Sequence, residues 1–338
     1  MNERLIPTTK QLFEKLRHSA RVQNKHTTQP IDRQRGRFFR LYFALCALWC
    51  FPTFAASQWE QLPPLPEPNG GFVCGCKDGK IVVMGGTNWA GGKKNWLKKV
   101  HEFDPVQKTW HAGIERPEPV AYAVVFQQDA SFVTGGGYDG TKNIDAGRLK
   151  HGVLSAGGQV NGRMILAGGT DDPANLTGLS KEVWTLSKGH IRQADYPGKP
   201  FATAASAVLG EELFVFGGMN YDAKAKLPVN TGEAYAFSPE KNAWRKLMPL
   251  MTPTRGLSAV TLDNNHIYIA GGYREDFTAE AVIYDVKTNR YQKAVSLPYA
   301  AMVGLVKLGG HVYCIGGEDK KQSRTDQFFR IPVAALLE

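Results

Sequence analysis

Six short apolar runs recur along the chain, and each ends in two glycines. They are Ile81-Val82-Val83-Met84 before Gly85-Gly86, Phe132-Val133-Thr134 before Gly135-Gly136, and Met164-Ile165-Leu166-Ala167 before Gly168-Gly169. Leu213-Phe214-Val215-Phe216 before Gly217-Gly218, Ile267-Tyr268-Ile269-Ala270 before Gly271-Gly272, and Val312-Tyr313-Cys314-Ile315 before Gly316-Gly317 complete the set. An apolar run of this length bounded by turn residues is a buried strand. Glycine after it lets the chain turn and lets a neighbouring aromatic lie on bare backbone. Upstream of each run stands a strand of small residues and then a tight turn. Phe72 to Cys76 leads into Lys77-Asp78-Gly79, and Asp-Gly is a strong hairpin signal. Later units offer Gln159-Val160-Asn161-Gly162, Leu209-Gly210-Glu211-Glu212, Asp263-Asn264-Asn265 and Leu308-Gly309-Gly310 at the same place. Downstream come an aromatic strand, a turn and a further aromatic: Phe103-Asp104-Pro105 before Trp110, Phe237-Ser238-Pro239 before Trp244, Tyr284-Asp285 before Tyr291.

Four strands per unit follow, and the diglycines are spaced by 50, 33, 49, 54 and 45 residues. Six units of this size predict an all-β ring, a six-bladed propeller, over residues 57–338. Trp110 and Trp244 then read as blade core. The last unit has no aromatic fourth strand after Gln327 to Arg330. Trp59-Glu60-Gln61-Leu62-Pro63, near the other end, matches Trp244-Arg245-Lys246-Leu247-Met248-Pro249. This N-terminal strand is expected to complete the last blade and so remove the exposed edges of an open sheet. The 33-residue interval leaves the second unit with short or missing outer strands, a degenerate blade or an irregular ring. The third unit offers Val183-Trp184-Thr185-Leu186 and Tyr196 in place of the usual Trp.

The pattern of diglycine, aromatic strand and Trp resembles the Kelch repeat across almost all of residues 57–332. The resemblance implies a propeller whose post-diglycine loops share one face.

Charge adds a boundary. The chain of 338 residues carries a formal net charge of +10, yet residues 1–40 alone hold 10 Lys/Arg against 3 Asp/Glu. The remainder is nearly balanced and has no basic stripe, which argues against nucleic acid as a partner. Arg33, Arg35, Arg37 and Arg40 precede the apolar run Leu41 to Phe51 and then Pro52-Thr53-Phe54-Ala55-Ala56-Ser57. Residues 1–56 therefore read as a basic extension and secretory signal cut near Ala55 or Ala56, too short to span a bilayer comfortably, and place the protein outside the cytoplasm, in the periplasm. After cleavage no membrane association is expected. Loss of Cys46 and Cys50 leaves Cys74, Cys76 and Cys314, too few for a disulfide framework. Cys74 and Cys76 read as buried small hydrophobes, with a bridge from one of them to Cys314 left open.

The candidate chemistry lies in the last unit. Beyond Gly316-Gly317, Glu318 and Arg324 put a carboxylate and a guanidinium six positions apart on one loop. Across the expected closure lies Thr87-Asn88-Trp89-Ala90-Gly91-Gly92-Lys93-Lys94-Asn95-Trp96. Indole faces stack on sugar rings and Arg grips a carboxylate bidentately, so these groups together suit a sugar acid. Arg255, at the entrance of the fifth unit, is a further candidate for the channel mouth.

Gly317-Glu318 followed by Arg324-Thr325-Asp326 resembles the site loop of the N-acetylneuraminate epimerases, the sialic acid mutarotases. Gly85-Gly86-Thr87-Asn88, Gly91-Gly92-Lys93-Lys94, Trp96 and Ala121-Tyr122 resemble the cyclically permuted branch of that family. The resemblance implies that Glu318 and Arg324 are the catalytic pair, and it brings Asn88, Lys94, Trp96 and Tyr122 in as substrate-binding residues beside Arg255. It implies exchange of anomers by acid-base ring opening and closure, with no cofactor and no metal. Glu318 would be the base and Arg324 the grip on the substrate carboxylate; Lys94, Tyr122 or water would be the acid. The rival expectation is an exported Kelch propeller that binds glycan or protein without catalysis. A copper radical oxidase on the same scaffold would need His ligands and a Tyr near Cys, which the sequence does not cluster.

Overall fold

The computed structural model describes residues 58–338, apart from 146–148 and 187–188. The basic extension and signal expected over 1–56, with Cys46 and Cys50, lie outside the described residues. Among those described, no helix is long and apolar enough to cross a membrane.

Strand β1 (Glu60–Gln61) stands ahead of the repeats. Blade one is β2 (Val73–Lys77) and β3 (Lys80–Met84), then a hairpin of β4 (Thr87–Ala90) and β5 (Lys93–Trp96), then β6 (Val100–Asp104) and β7 (Thr109–Ala112). The second sector holds only β8 (Val124–Gln127) and β9 (Phe132–Gly135). Blade three is β10 (Ala156–Val160), β11 (Arg163–Ala167), β12 (Val183–Leu186) and β13 (Ile191–Arg192). Blade four is β14 (Ala205–Leu209) and β15 (Glu212–Phe216), a hairpin of β16 (Met219–Asp222) and β17 (Leu227–Asn230), then β18 (Ala234–Ser238) and β19 (Ala243–Lys246). Blade five is β20 (Ser258–Thr261), β21 (His266–Ala270), β22 (Ala281–Asp285) and β23 (Arg290–Lys293). Blade six is β24 (Met302–Leu308), β25 (His311–Glu318) and β26 (Thr325–Pro332), followed by the short helix α1 (Val333–Leu337).

The sheets are antiparallel throughout, and five of them have four strands. The expected six full blades are thus five, with a two-stranded sheet in the second position. The cause is visible in the segment after Gly137. Too short to return as two strands, it folds as a loop in which Asn143 Nδ2 donates to Leu149 O (2.8 Å) and Asp145 takes the Gly136 N–H (2.6 Å). Leu149 then packs on Val124, Phe126, Leu166 and Leu186, doing the work of the missing strands. The second diglycine is also displaced by one residue from its expected place. Among Gly135, Gly136 and Gly137, the last two have positive φ, and Gly135 ends β9. All six pairs then repeat one backbone signature, φ of 42–74° at the first glycine and 94–113° at the second. A Cβ on Gly85 would lie 2.0 Å from Val120 O, so no other residue fits.

The inner strands β2, β8, β10, β14, β20 and β24 surround a channel of about 880 Å³. Small residues recur where the strands converge, Gly75 on β2, Gly157 and Gly158 on β10, Ser206 and Ala207 on β14 and Ala259 on β20. The second strands are apolar on both sides, Ile81, Val82 and Val83 all being buried, since each blade is covered by two neighbours. On the outer strands the same cross-strand aromatic pair recurs: Phe103 opposite Trp110 (centroids 5.0 Å), Phe237 opposite Trp244 (4.9 Å), Tyr284 opposite Tyr291 (5.1 Å). In blade three the partner of Trp184 is Arg192, whose guanidinium lies 5.3 Å from the indole centroid. Each outer aromatic also ties its blade to the one before. Trp110 donates to Pro63 O (3.0 Å), Trp244 to Ala194 O (3.0 Å), Tyr291 to Met248 O (2.7 Å) and Trp59 to Ser296 O (2.8 Å).

Trp59 therefore occupies the place of a blade's outer aromatic although it comes from the other end of the chain. β1 pairs with β26, Glu60 opposite Arg330 and Gln61 opposite Phe329, and completes blade six. Glu60 accepts from Arg330 Nε (2.6 Å) and Lys108 Nζ (2.5 Å), and these hydrogen bonds, Arg330 first, hold its carboxyl below the ordinary 4.5. A depressed carboxyl stabilises the fold above its ordinary range and loses that contribution as pH falls through the lowered value. Glu60→Gln is expected to cost no more than about 1 kcal/mol at neutral pH, the pair being exposed. The gap between the two melting curves should close on acidification below about pH 4, as followed by circular dichroism.

Among the described residues the cysteines Cys74, Cys76 and Cys314 are unpaired thiols. Burial pushes Cys74 and Cys314 up to about 12 and Cys76 to about 11, which suits the reading of small hydrophobes better than that of nucleophiles.

Candidate active site at the ring closure

Blades one and six are joined by Asn69-Gly70-Gly71, the segment that enters β2. Asn69 N donates to Thr325 O (3.2 Å), Gly317 N donates to Asn69 O (2.7 Å), and Asn69 Nδ2 reaches Gly85 O (2.7 Å). Gly70 and Thr87 exchange both backbone hydrogen bonds, at 3.0 and 2.8 Å. Sequence reading singled out the glycines after strands and passed over this pair before one. Its use is steric. A Cβ on Gly70 would sit 2.4 Å from Arg324 Cδ, and one on Gly71 would sit 2.3 Å from Tyr122 Cε1. The two bare backbones are adjacent seats for the guanidinium side chain and the phenol ring.

Glu318 ends β25, and Arg324 precedes β26, so the intervening turn returns Arg324 to Glu318 with Nη1 3.3 Å from Oε2. Arg324 also donates through Nη1 to Ser323 O (2.6 Å) and through Nε to Thr87 Oγ1 (3.3 Å). Their exposures differ sharply: the Arg324 side chain is 4% exposed and that of Glu318 34%. The carboxylate faces solvent while the guanidinium lies behind it. This arrangement fits a cation that orients and compensates Glu318 better than one that reaches out to a substrate.

Lys94, Trp96 and Tyr122 form the neighbouring cluster. Lys94 Nζ donates to Tyr122 Oη (2.9 Å) and lies 4.5 Å from the Trp96 ring centroid and 5.1 Å from that of Tyr122. Trp96 packs edge-on to Tyr122 (5.9 Å) and tilted on Tyr138 (5.1 Å). Tyr138, which the sequence did not point to, has its phenol pushed up by burial and then by the charges of Asp172 and Asp139. Asn88 is used within the hairpin, its Oδ1 accepting from Asn95 Nδ2 opposite (3.0 Å).

Tyr122 has φ of 60°, which a non-glycine residue adopts only when its surroundings fix it. Leu154 (58°) and Thr203 (56°) repeat the conformation at the same place in their own units. The cause is a run of backbone hydrogen bonds from unit to unit: Tyr122 N to Gly71 O, Leu154 N to Tyr122 O, Thr203 N to Leu154 O and Gly256 N to Thr203 O, at 2.8–3.1 Å. This collar lies at the diglycine end of the inner strands. The channel lining begins just below it, at Ala123 and Ser155, and continues to Gln128, Gly309 and Gly310 at the hairpin end. Glu318 and its neighbours are outside that channel.

Arg255 is not among the channel-lining residues either. It lines a separate cavity of about 840 Å³ on the loop side, with Asn230, Thr252, Arg274 and Phe277. Among the described residues, no group of three or more His, Cys, Asp or Glu side chains is arranged to hold a metal.

Comparison with known proteins agrees with the architecture. The Kelch motif matches residues 68–113, 200–251 and 254–298. The ring is an all-β propeller that carries the Kelch motif in blades one, four and five. An N-acetylneuraminate epimerase 1 of Escherichia coli is 26% identical over 291 residues, 78% of this chain and 76% of that protein. A Kelch domain-containing protein of Vibrio cholerae is 29% identical over 157 residues, 44% of this chain and 42% of its own. The mouse Kelch-like protein 35 is 27% identical over 188 residues, covering 55% of this chain and 30% of that protein. The chain thus matches less than half the length of the Vibrio and mouse relatives and about three quarters of the Escherichia one. Proteins named for an enzyme activity and proteins named only for the repeat are both among its relatives.

Proposed function

We propose that this Kelch propeller is a mutarotase that interconverts the anomers of N-acetylneuraminate or a related sugar acid. The observation that carries the reading is the half-exposed Glu318 carboxylate backed by a buried Arg324, on the same ring closure as the Lys94-Tyr122 pair. The 26% identity to an Escherichia coli N-acetylneuraminate epimerase 1 over 78% of this chain supports it, as does the resemblance of the Thr87 to Trp96 loop to the permuted branch. Glu318 takes the proton of the anomeric hydroxyl as the anomeric carbon becomes a carbonyl. The ring C–O bond breaks with its electron pair on the ring oxygen, which is protonated there. Tyr122 is the donor: Lys94 donates to its oxygen, so the phenolic proton is free to leave while the ammonium steadies the charge left behind. Rotation of the carbonyl and the reverse steps close the ring on the other face. Arg324 holds Glu318 in place. Its permanent charge makes it unsuited to donate a proton. The basic and apolar residues from Arg33 to Phe51 support export, with the reaction in the periplasm.

The test follows α-N-acetylneuraminate, freshly dissolved, by proton NMR with and without protein. Relaxation no faster than in buffer would leave the propeller as a binder of glycan or protein. Gly70→Ala offers a second check, because its Cβ meets the Arg324 side chain first, 2.4 Å from Cδ, and the backbone of Gly317 only at 3.1 Å. Anomer exchange should fall by about tenfold or more with the melting temperature little changed, whereas an unaffected rate would show that Arg324 has no part in it.

A further inference from the structure

If Arg324 is committed behind Glu318, another group must recognise the acid of an acidic sugar. We infer that Arg255 does so, in the cavity between the β16–β17 hairpin and the loop after β21. That the ligand is a sugar acid rests on the mutarotase reading; that an organic anion binds there rests on the cavity itself.

The cavity of about 840 Å³ is walled by Pro228, Val229 and Phe277 and carries the polar groups of Asn230, Thr252 and Thr278. Two guanidinium groups reach it, and they differ. Arg274 is neutralised, with Nη1 2.7 Å from Glu280 Oε2 and Nε donating to Thr254 Oγ1 (3.0 Å). Arg255 is stacked 4.6 Å from the centroid of Tyr273, and Nη1 donates to the neutral amide oxygen of Asn230 (3.3 Å). Among the described residues no carboxylate forms an ion pair with it. Glu275 and Asp276 also belong to the lining but are exposed at its rim, and Asp276 is occupied with the Phe277 N–H (2.8 Å). A half-buried guanidinium, oriented by an aromatic face and one amide, presents its remaining donors in the planar fork that matches a carboxylate.

The position relative to Glu318 follows from the backbone. Arg255 is followed by Gly256, where a Cβ would lie 2.5 Å from Met302 Sδ, and Met302 is the register partner of Glu318. Arg255 thus stands at the entrance of blade five, the blade next to the one that carries Glu318, and its side chain meets Asn230 of blade four. An acidic sugar with its carboxylate on Arg255 would set its apolar substituents against Val229 and Phe277.

The experiment titrates the full chain with N-acetylneuraminate and, separately, with its methyl ester, by calorimetry. Wild type should prefer the acid by about tenfold or more, the value of a charge-assisted hydrogen-bond pair. Arg255→Gln should lose that preference and Arg255→Lys should restore part of it. An unchanged preference in folded Arg255→Gln, or no binding of the acid by wild type, overturns the inference. Arg255-dependent binding without faster anomer exchange would instead refute the mutarotase reading and leave this site standing.

Discussion

Glu318→Gln is expected to slow anomer exchange of N-acetylneuraminate by about 10²- to 10⁴-fold, the usual contribution of a positioned general base. This corresponds to about 3–5 kcal/mol in the barrier. The amide keeps the shape of the side chain and can still accept from Arg324 Nη1, 3.3 Å away in the parent, but it cannot take the anomeric proton. Because the side chain is 34% exposed, the melting temperature should move little. Proton NMR of the anomeric mixture reads the rate directly. A variant that relaxes the sugar as fast as wild type would remove Glu318 from the chemistry, and Tyr122→Phe, expected to retain substrate affinity, would then show whether the phenol acts alone.

Phe328→Ala should be the most damaging change to the ring, at about 3–5 kcal/mol of unfolding free energy. Phe328 is 1% exposed on β26 and meets Phe103 edge-on (4.7 Å), Trp110 (5.1 Å) and Tyr313 (5.8 Å). It is where the aromatic pair of blade one packs on blade six, so the cavity would open within the closure itself. Urea unfolding measures the loss. Substituting Tyr291, the outer aromatic of blade five, gives the comparison at an ordinary boundary between blades. Equal costs at the two places would mean that the closure depends on β1 and its ion pairs rather than on this cluster.

Much of this arrangement was legible in the sequence because it repeats. Trp59 could be assigned to the last blade from its likeness to Trp244, and both make the same indole bond to a preceding carbonyl. Glu318 and Arg324 could be paired from their six-position spacing on the loop after Gly316-Gly317. What stayed hidden depends on the sign of φ or on contacts between blades. Three consecutive glycines at 135–137 give no clue to which two turn the chain, and the backbone angles decide for the last two. Gly70 and Gly71 look like ordinary loop residues until Arg324 and Tyr122, distant in sequence, come to lie on them. The burial of Arg324 and the cavity at Arg255 likewise arise from segments that no local pattern connects. A grip on the substrate carboxylate, the role the family resemblance implies for Arg324, fits poorly with a side chain only 4% exposed.

Closure by β1 also sets an order of events. The hydrogen bond from Arg324 to Thr87 spans 237 positions, and that from Arg330 to Glu60 spans 270. A growing chain carries Lys94 and Tyr122 long before it carries Glu318, and until blade six emerges nothing occupies the seat at Gly70. Completion of this closure is then a single late step of synthesis, the step at which the two ends of the chain meet.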